Sequence, residues 1–150
     1  MRLRDFFTAD AVGLHLAAKT KPEALSEMVT LLGVEPPVGE TLRRLLEKRE
    51  TLGSCGVGRG IAIPHCRAPV VPELRLAFGR APHGISYDAI DGRPVHNLFL
   101  IVAPPVEASN LYLPVLGRLA QFAKGPDIPE RLAALTTVDD FFSLLDERGA

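Results

Sequence analysis

The apolar run from Asn97 to Ala103 constrains the fold of this chain more than any other segment. It reads NLFLIVA and shows no alternation of apolar and polar residues. A strand with one face in solvent alternates, whereas a strand covered on both faces does not. We therefore place this strand at the centre of a sheet that carries helices on both sides.

Helical periodicity predicts the elements that cover such a sheet. In the first third of the chain, apolar residues three and four apart predict a helix that starts near Pro22 and ends at Gly33. After a turn at VEPPVGE, a second stripe predicts a helix that ends at Lys48 to Glu50. Near the C-terminus, Thr137 is a typical N-cap residue and predicts that the last helix begins after it.

The helix that follows the central strand contains a proline. Ser109 or Asn110 is expected to cap it, and Pro114 must lie in its first turn because proline has no N–H to donate. The helix is therefore expected to begin two to four residues before Pro114, which places Tyr112 near its N-terminus.

Further strands are predicted by alternation of apolar and polar residues. Val12 to Ala17 and Leu74 to Phe78 both alternate, Ile61 to Ile63 is a brief apolar strand, and Ile85 with Tyr87 suggests an edge strand. The elements do not alternate strictly between strand and helix. The fold class is therefore α/β, with a mixed sheet sandwiched between helices.

Composition limits the number of domains and the classes of partner. The 150 residues are 47% hydrophobic and 23% charged, which suits a single domain over 1–150. A net charge of -1 gives no excess of cations for nucleic acid or an anionic membrane. The longest apolar run is far short of a membrane span of about 20 residues. We expect a cytoplasmic protein without membrane insertion.

A glycine-rich segment precedes the residue of greatest chemical interest. Leu52 to Gly60 reads LGSCGVGRG and is expected to be a loop. The short strand Ile61 to Ile63 follows and is stopped by Pro64, which presents His65 at its end.

These neighbours suit an imidazole that carries a phosphoryl group. Histidine has abundant neutral form near pH 7, so one ring nitrogen can attack phosphorus while the other holds the proton. Donors for the phosphoryl oxygens are expected from the loop and its flanks: the N–H groups of Gly53, Gly56, Gly58 and Gly60, the Ser54 hydroxyl, and the charges of Arg49 and Arg59. No GxxxxGK[ST] pattern occurs, so the phosphate is expected from another protein.

Simpler interpretations compete with this one. The imidazole of His65 can satisfy a turn carbonyl, and Arg49 can complement the end of its helix as readily as bind phosphate. Cys55, His65 and Cys66, together with His83 or His96, also suggest a metal site, but their spacing matches no zinc pattern. We expect no metal, and we expect the two cysteines to be small buried residues.

One stretch, KRETLGSCGVGRGIAIPHCRAP, resembles the active-site signature of a known family. It is similar to EIIA proteins of the bacterial phosphoenolpyruvate-dependent phosphotransferase system, in the fructose, mannitol and nitrogen-regulatory class. The likeness extends over nearly the whole chain, through the RE pair at Arg49-Glu50, the turn DGRPV and the strand LFLIVAPP.

The resemblance implies a fold and a set of partners. It implies a mixed sheet of about five strands, no cofactor, and His65 as acceptor of phosphate from a phosphorylated HPr-like protein. In transport members the phosphate passes on to an EIIB domain. The sequence departs from the family at Tyr112, where members commonly have a second histidine, and at Cys55, where threonine is common. Tyr112 can donate a hydrogen bond to a phosphate but carries no positive charge.

We therefore predict a phosphocarrier of the nitrogen or metabolic regulatory type. Its chain length resembles the stand-alone nitrogen-regulatory members. Two alternatives stay open: a sugar-transport EIIA that passes phosphate to EIIB, and a regulatory protein that acts on a transporter or kinase without onward transfer.

Overall fold

The computed structural model of the protein describes residues 1–150. Its six strands are β1 Val12–Gly13, β2 Gly56–Gly58, β3 Ile61–Ala62, β4 His65–Arg67, β5 Arg75–Ile85 and β6 Val95–Ala103. Its five α-helices are α1 Lys21–Leu31, α2 Pro36–Glu50, α3 Tyr112–Ala123, α4 Ile128–Ala133 and α5 Val138–Glu147. None of the helices has the length and apolar character that a membrane span requires.

Strand β6 lies at the centre of a mixed sheet, as its unbroken apolar run predicts. The strand order is β1-β5-β6-β3-β2, and β4 also pairs with β6. Strand β5 is antiparallel to β6, with Phe78 opposite Phe99. Strands β3 and β4 are both parallel to β6 and lie one after the other along the same edge, with Ile61 opposite Asn97 and His65 opposite Ile101.

The two faces of β6 supply two separate apolar cores. Leu98 and Leu100 belong to the core with α1 and α2, whereas Phe99 and Ile101 belong to the core with α3, α4 and α5. In the second core the ring of Phe141 stacks on that of Phe78, with 4.5 Å between centroids. The prediction of one mixed sheet between two helical layers is confirmed.

Helix α2 begins earlier than its sequence suggested. The predicted turn at VEPPVGE is wrong, because the helix starts at Pro36 and includes the residues up to Gly39 and Glu40. Two prolines can occupy the first two helical positions, since the N–H groups there have no partner within the helix. The predicted end of this helix at Glu50 is confirmed.

Strand β5 is longer than predicted. The strand predicted at Ile85 and Tyr87 is not a separate one, because Ile85 ends β5 and only an isolated bridge between Ser86 and Thr20 follows. Strand β5 continues through Pro82 to Ile85, with an irregular register after Arg80. Tyr87 follows the strand and is buried. Strand β1 is shorter than predicted, since only Val12 and Gly13 pair with β5.

The helices of the C-terminal third agree with the proline and threonine signals. Helix α3 starts two residues before Pro114, as predicted, but neither Ser109 nor Asn110 caps it, because its cap residue is Leu111. Thr137 caps α5 and forms a reciprocal capping box with Asp140, which confirms that prediction.

Candidate functional site

His65 is half-buried at the beginning of β4. The prediction that it ends the preceding strand is wrong in detail, because pairing with β6 resumes immediately after Pro64. The Pro64 carbonyl accepts a hydrogen bond of 3.0 Å from the N–H of Ile101, which keeps the backbone aligned through the interruption. The backbone of His65 is therefore held by strand pairing with β6 and does not belong to a free loop.

The Nδ1 atom of His65 lies 2.7 Å from the carbonyl oxygen of Ile63. A carbonyl oxygen only accepts hydrogen bonds, so Nδ1 carries a proton and donates it. In the neutral ring the lone pair is then on Nε2. The simple interpretation of an imidazole that satisfies a turn carbonyl is thus true of one nitrogen, and it leaves the other free to react.

The surroundings of His65 favour the neutral ring. Burial lowers the pKa of His65 below its ordinary value of 6.5, and the nearby positive charge of Arg49 lowers it further. The bond to Ile63 and the charge of Glu50 act in the opposite direction but are outweighed. At pH 7 the imidazole is therefore mainly neutral, with Nε2 unprotonated.

Glu50 organises the loop next to His65, and sequence reasoning gave it no role beyond the RE pair. Its carboxylate accepts the N–H of Cys55 at 2.8 and 3.2 Å and lies 3.7 Å from the Nζ of Lys21. Its side chain is only 5% exposed. The signal was present, since Leu42, Leu46 and Glu50 lie on one buried face of α2, where a carboxylate needs a partner.

The contact with Glu50 is continued to His65 through the backbone. The Cys55 carbonyl accepts a bond of 2.9 Å from the N–H of Ile63, whose own carbonyl accepts the Nδ1–H of His65. Glu50, Cys55, Ile63 and His65 therefore form a continuous series of hydrogen-bonded groups. The end of α2 fixes the orientation of the imidazole in this way.

Both cysteines are buried, as predicted. The Sγ of Cys55 lies 3.8 Å from Nδ1 of His65, and burial raises the pKa of this thiol to about 12. Burial raises the pKa of Cys66 to about 12 as well. Both groups are neutral thiols at pH 7. Nowhere in the chain do three His, Cys, Asp or Glu side chains lie together in a way that could hold a metal ion.

Tyr112 is brought to His65 by the first turn of α3. The two ring centroids are 5.9 Å apart. The guanidinium of Arg67 lies over the Tyr112 ring, 4.4 Å from its centroid. The same guanidinium donates to the carbonyl of Pro104 at 2.9 Å. Burial raises the pKa of Tyr112 to about 12, so its hydroxyl keeps its proton and remains a hydrogen-bond donor.

The glycine-rich segment is only partly a loop. Residues 56–58 form β2 and pair antiparallel with β3, so the prediction of a loop throughout 52–60 is wrong. The prediction that Gly53 and Gly56 turn their N–H groups toward one anion is also wrong. The N–H of Gly53 donates to the Glu50 carbonyl, and that of Gly56 donates to the Ser54 hydroxyl. The Ser54 hydroxyl itself donates to the Tyr87 carbonyl at 3.3 Å.

The two arginines of this segment have different positions. Arg49 lies in the last turn of α2 and donates through Nη1 to the carbonyl of Gly53 at 3.1 Å. Arg59 donates to the carbonyls of Ala123 and Gly125, at the end of α3 opposite to Tyr112. A helix of this length spans about 17 Å, so the expectation that Arg59 adds charge beside His65 is wrong.

Comparison with known proteins agrees with this geometry. Residues 5–148 match the family model described as phosphoenolpyruvate-dependent sugar phosphotransferase system, EIIA 2. A nitrogen regulatory protein of Bradyrhizobium diazoefficiens is 30% identical over 97% of this chain and 95% of its own length. The fructose-specific EIIABC component of Bacillus subtilis is 30% identical over 98% of this chain, which spans only 23% of that protein.

A solved structure extends the comparison to three dimensions. The nitrogen regulatory protein IIA-Ntr from Neisseria meningitidis superimposes with a TM-score of 0.85 at 29% identity, over 94% of this chain and 97% of that one. The family model covers nearly the whole chain, and the resemblance carried by the stretch KRETLGSCGVGRGIAIPHCRAP is confirmed. The chain belongs to the EIIA type 2 family of the phosphoenolpyruvate-dependent phosphotransferase system.

Proposed function

We propose that this protein is a phosphocarrier that accepts a phosphoryl group on Nε2 of His65 from a phosphorylated HPr-like protein. The observation that carries the proposal is the 2.7 Å contact between Nδ1 of His65 and the carbonyl of Ile63. It fixes the proton on one nitrogen and leaves a lone pair on the other. Membership of the EIIA family supports the same chemistry.

The phosphoryl group moves from the imidazole of the donor phosphohistidine to the imidazole of His65. The lone pair of Nε2 forms the new N–P bond while the P–N bond of the donor phosphohistidine breaks, and its electron pair returns to the donor ring. The donor ring becomes neutral because its second nitrogen keeps a proton. The His65 ring gains the positive charge, which the carbonyl of Ile63 and the carboxylate of Glu50 stabilise.

Three side chains around His65 are assigned roles in this proposal. The hydroxyl of Tyr112 donates to a phosphoryl oxygen, and Arg49 contributes positive charge with the donor groups that do not contact Gly53. Ser54 positions the loop, because its hydroxyl is already bonded to Gly56 and Tyr87. This differs from the direct phosphate contact first expected of Ser54.

Exposed apolar side chains next to the site suit a protein donor. Leu113 follows Tyr112 and is 69% exposed, and Leu52 follows the end of α2 and is 82% exposed. Apolar residues that flank a polar centre are typical of protein interfaces. The proposal therefore places an HPr-like protein over His65, in the cytoplasm.

We infer the nitrogen-regulatory type because two regulatory relatives match over nearly their whole length, at 95% and 97%. The fructose-specific relative supports the alternative, a transport protein that passes phosphate to an EIIB domain. A regulatory protein that keeps its phosphate and acts on a transporter or kinase is the remaining alternative.

The first experiment tests the acceptor. The protein is incubated with phosphoenolpyruvate, enzyme I and HPr, and acid-labile phosphate is measured. We expect labelling of the wild type, none of His65→Ala, and full labelling of His83→Ala, whose imidazole also bonds a carbonyl, that of Ala18, at 2.8 Å. Labelled His65→Ala would overturn the assignment.

The second experiment separates the types. The phosphorylated protein is isolated and offered an EIIB domain, and phosphate on His65 is followed with time. Retention of the phosphate supports the regulatory type. Rapid loss that depends on EIIB shows the transport type instead.

A further inference from the structure

A cavity that contains several polar side chains lies toward the opposite end of β6 from His65. It encloses about 450 Å³ and is lined by Arg59 and Gly60 before β3, Arg80 and Asn97 on the paired strands, His96, and Ala133 at the end of α4. Along β6, Asn97 lies four residues before Ile101, the partner of His65. The two sites are therefore about 13 Å apart along the strand.

Asn97 is a polar residue in an otherwise apolar strand and is only 4% exposed. Its Oδ1 atom is buried and accepts no hydrogen bond from the protein. An unpaired buried acceptor costs free energy, and such groups are rare unless water or a ligand supplies the donor. Asn97 therefore calls for a donor from outside the chain, and the cavity lies beside it.

Arg80 faces Asn97 across the strand pair and is 8% exposed. Its Nε and Nη1 donate to carbonyls at Leu14 and at the end of α4, which explains part of its burial. Its Nη2 has no acceptor among these bonds. The chain's ion pairs include neither Arg80 nor Arg59. Nη1 and Nη2 of Arg59 donate to backbone carbonyls at the end of α3, so both guanidinium groups keep a positive charge that no carboxylate neutralises.

From these three observations we propose that the cavity binds a small organic anion that also carries a hydroxyl group. The phosphate or carboxylate of the ligand faces Nη2 of Arg80 and Nε of Arg59, the guanidinium nitrogens that do not donate to backbone carbonyls. The hydroxyl donates to Oδ1 of Asn97. The volume lies within the range of about 300–1,000 Å³ found for small-molecule pockets. This site is separate from His65 and does not depend on phosphotransfer there.

The test is an NMR titration of ¹⁵N-labelled protein with sn-glycerol 3-phosphate. The titration is repeated with two related ligands. Propyl phosphate lacks the hydroxyl groups of glycerol 3-phosphate, and glycerate carries a carboxylate in place of the phosphate. We expect saturable shifts of the Asn97 side-chain amide and the Gly60 amide, with affinity for propyl phosphate weaker by roughly tenfold because a hydrogen bond is lost. The affinities for glycerol 3-phosphate and for glycerate are then compared, and the tighter of the two ligands shows whether the cavity prefers a phosphate or a carboxylate.

Two neighbouring alanines provide a matched control. Ala133 lines the cavity and Ala134 does not, and both are exposed at the end of α4. Ala133→Leu should fill the cavity mouth and abolish the shifts, whereas Ala134→Leu should bind like the wild type. Arg59→Gln should weaken binding roughly tenfold relative to Arg44→Gln, an exposed arginine on α2. The proposal is overturned if no ligand gives saturable shifts at Asn97, or if the two leucine variants bind alike.

Discussion

The imidazole of His65 donates from Nδ1 to the carbonyl of Ile63, two residues earlier in the same chain, over 2.7 Å. This single bond couples orientation to reactivity. It holds the ring in one position and selects the tautomer in which Nε2 has the lone pair. Because Ile63 is itself bonded to Cys55, and Cys55 to Glu50, the imidazole of His65 is positioned by the end of α2.

The first prediction concerns pH. Burial lowers the folded-state pKa of His65 below 6.5, so as the pH falls the unfolded chain binds the proton first. The stability contributed by the neutral ring should be complete above pH 6.5 and be lost as the pH falls through the folded pKa. Phosphate acceptance should decline at lower pH, as the pH reaches the folded pKa and the imidazole of the folded protein becomes protonated. An NMR titration of the His65 ring protons measures the pKa directly, and a value above 6.5 would contradict the prediction.

The second prediction concerns the charge of Arg49. Its guanidinium lowers the pKa of His65, so Arg49→Gln should raise it. Lys48→Gln removes the same charge from the adjacent, exposed position and is the matched control. We expect the pKa shift in the first variant to exceed that in the second, as measured by NMR. Equal shifts would show that only the net charge of the helix end matters.

The unbroken apolar strand and the helical stripes predicted most of the fold, because burial on two faces leaves a direct pattern in sequence. They did not show that Ile85 belongs to the strand that begins at Arg75, because β5 continues through Pro82 with an irregular register that breaks the alternation. The start of α2 was missed for a similar reason, since Pro36 signals both a turn and a first helical position.

For the site, the sequence predicted His65 as the candidate acceptor but did not predict the partners of the surrounding groups. Arg59 is next to the loop in sequence, yet its side chain reaches the carbonyl of Ala123, 64 residues away. Likewise, the glycines suggested free N–H groups, whereas Gly56 donates to Ser54. Such pairings depend on tertiary contacts that local patterns do not encode.

The third prediction concerns the Tyr112 hydroxyl. Tyr112→Phe keeps the ring against His65 and under the Arg67 guanidinium but removes the donor. Phosphorylation of His65 should slow by about tenfold, the value of one hydrogen bond to a charged group. The thermal midpoint should change little. Thr30→Val is the control, since it removes an exposed hydroxyl on α1 that bonds only the Ser26 carbonyl, and it should leave the rate intact. An unchanged rate for Tyr112→Phe would remove the hydroxyl from the mechanism.

The fourth prediction concerns the carboxylate of Glu50. Glu50→Gln loses the charge that pairs with Lys21 and weakens the bond to the Cys55 N–H. Urea unfolding should show a loss of about 1–3 kcal/mol, because both groups are largely buried. The pKa of His65 should fall as well, since the Glu50 charge raises it. Glu47→Gln, one turn earlier and paired with the partly exposed Arg43, is the control and should cost clearly less than Glu50→Gln.

The fifth prediction concerns the backbone at Gly56, which adjoins Cys55. A Cβ on Gly56 would lie 2.8 Å from both Cα and Cβ of Ala89, and backbone cannot move aside as a flexible side chain can. Gly56→Ala should therefore destabilise the protein by about 1–3 kcal/mol and reduce phosphate acceptance, because the displaced loop carries the carbonyl that bonds Ile63. Gly117 is the contrasting position, exposed within α3 and with no atom within 4 Å of an added Cβ. Gly117→Ala should stabilise the helix by about 0.5–1 kcal/mol in the same urea experiment and leave acceptance unchanged. If both alanine variants unfold at the same urea concentration, close packing against Ala89 does not hold the loop in place.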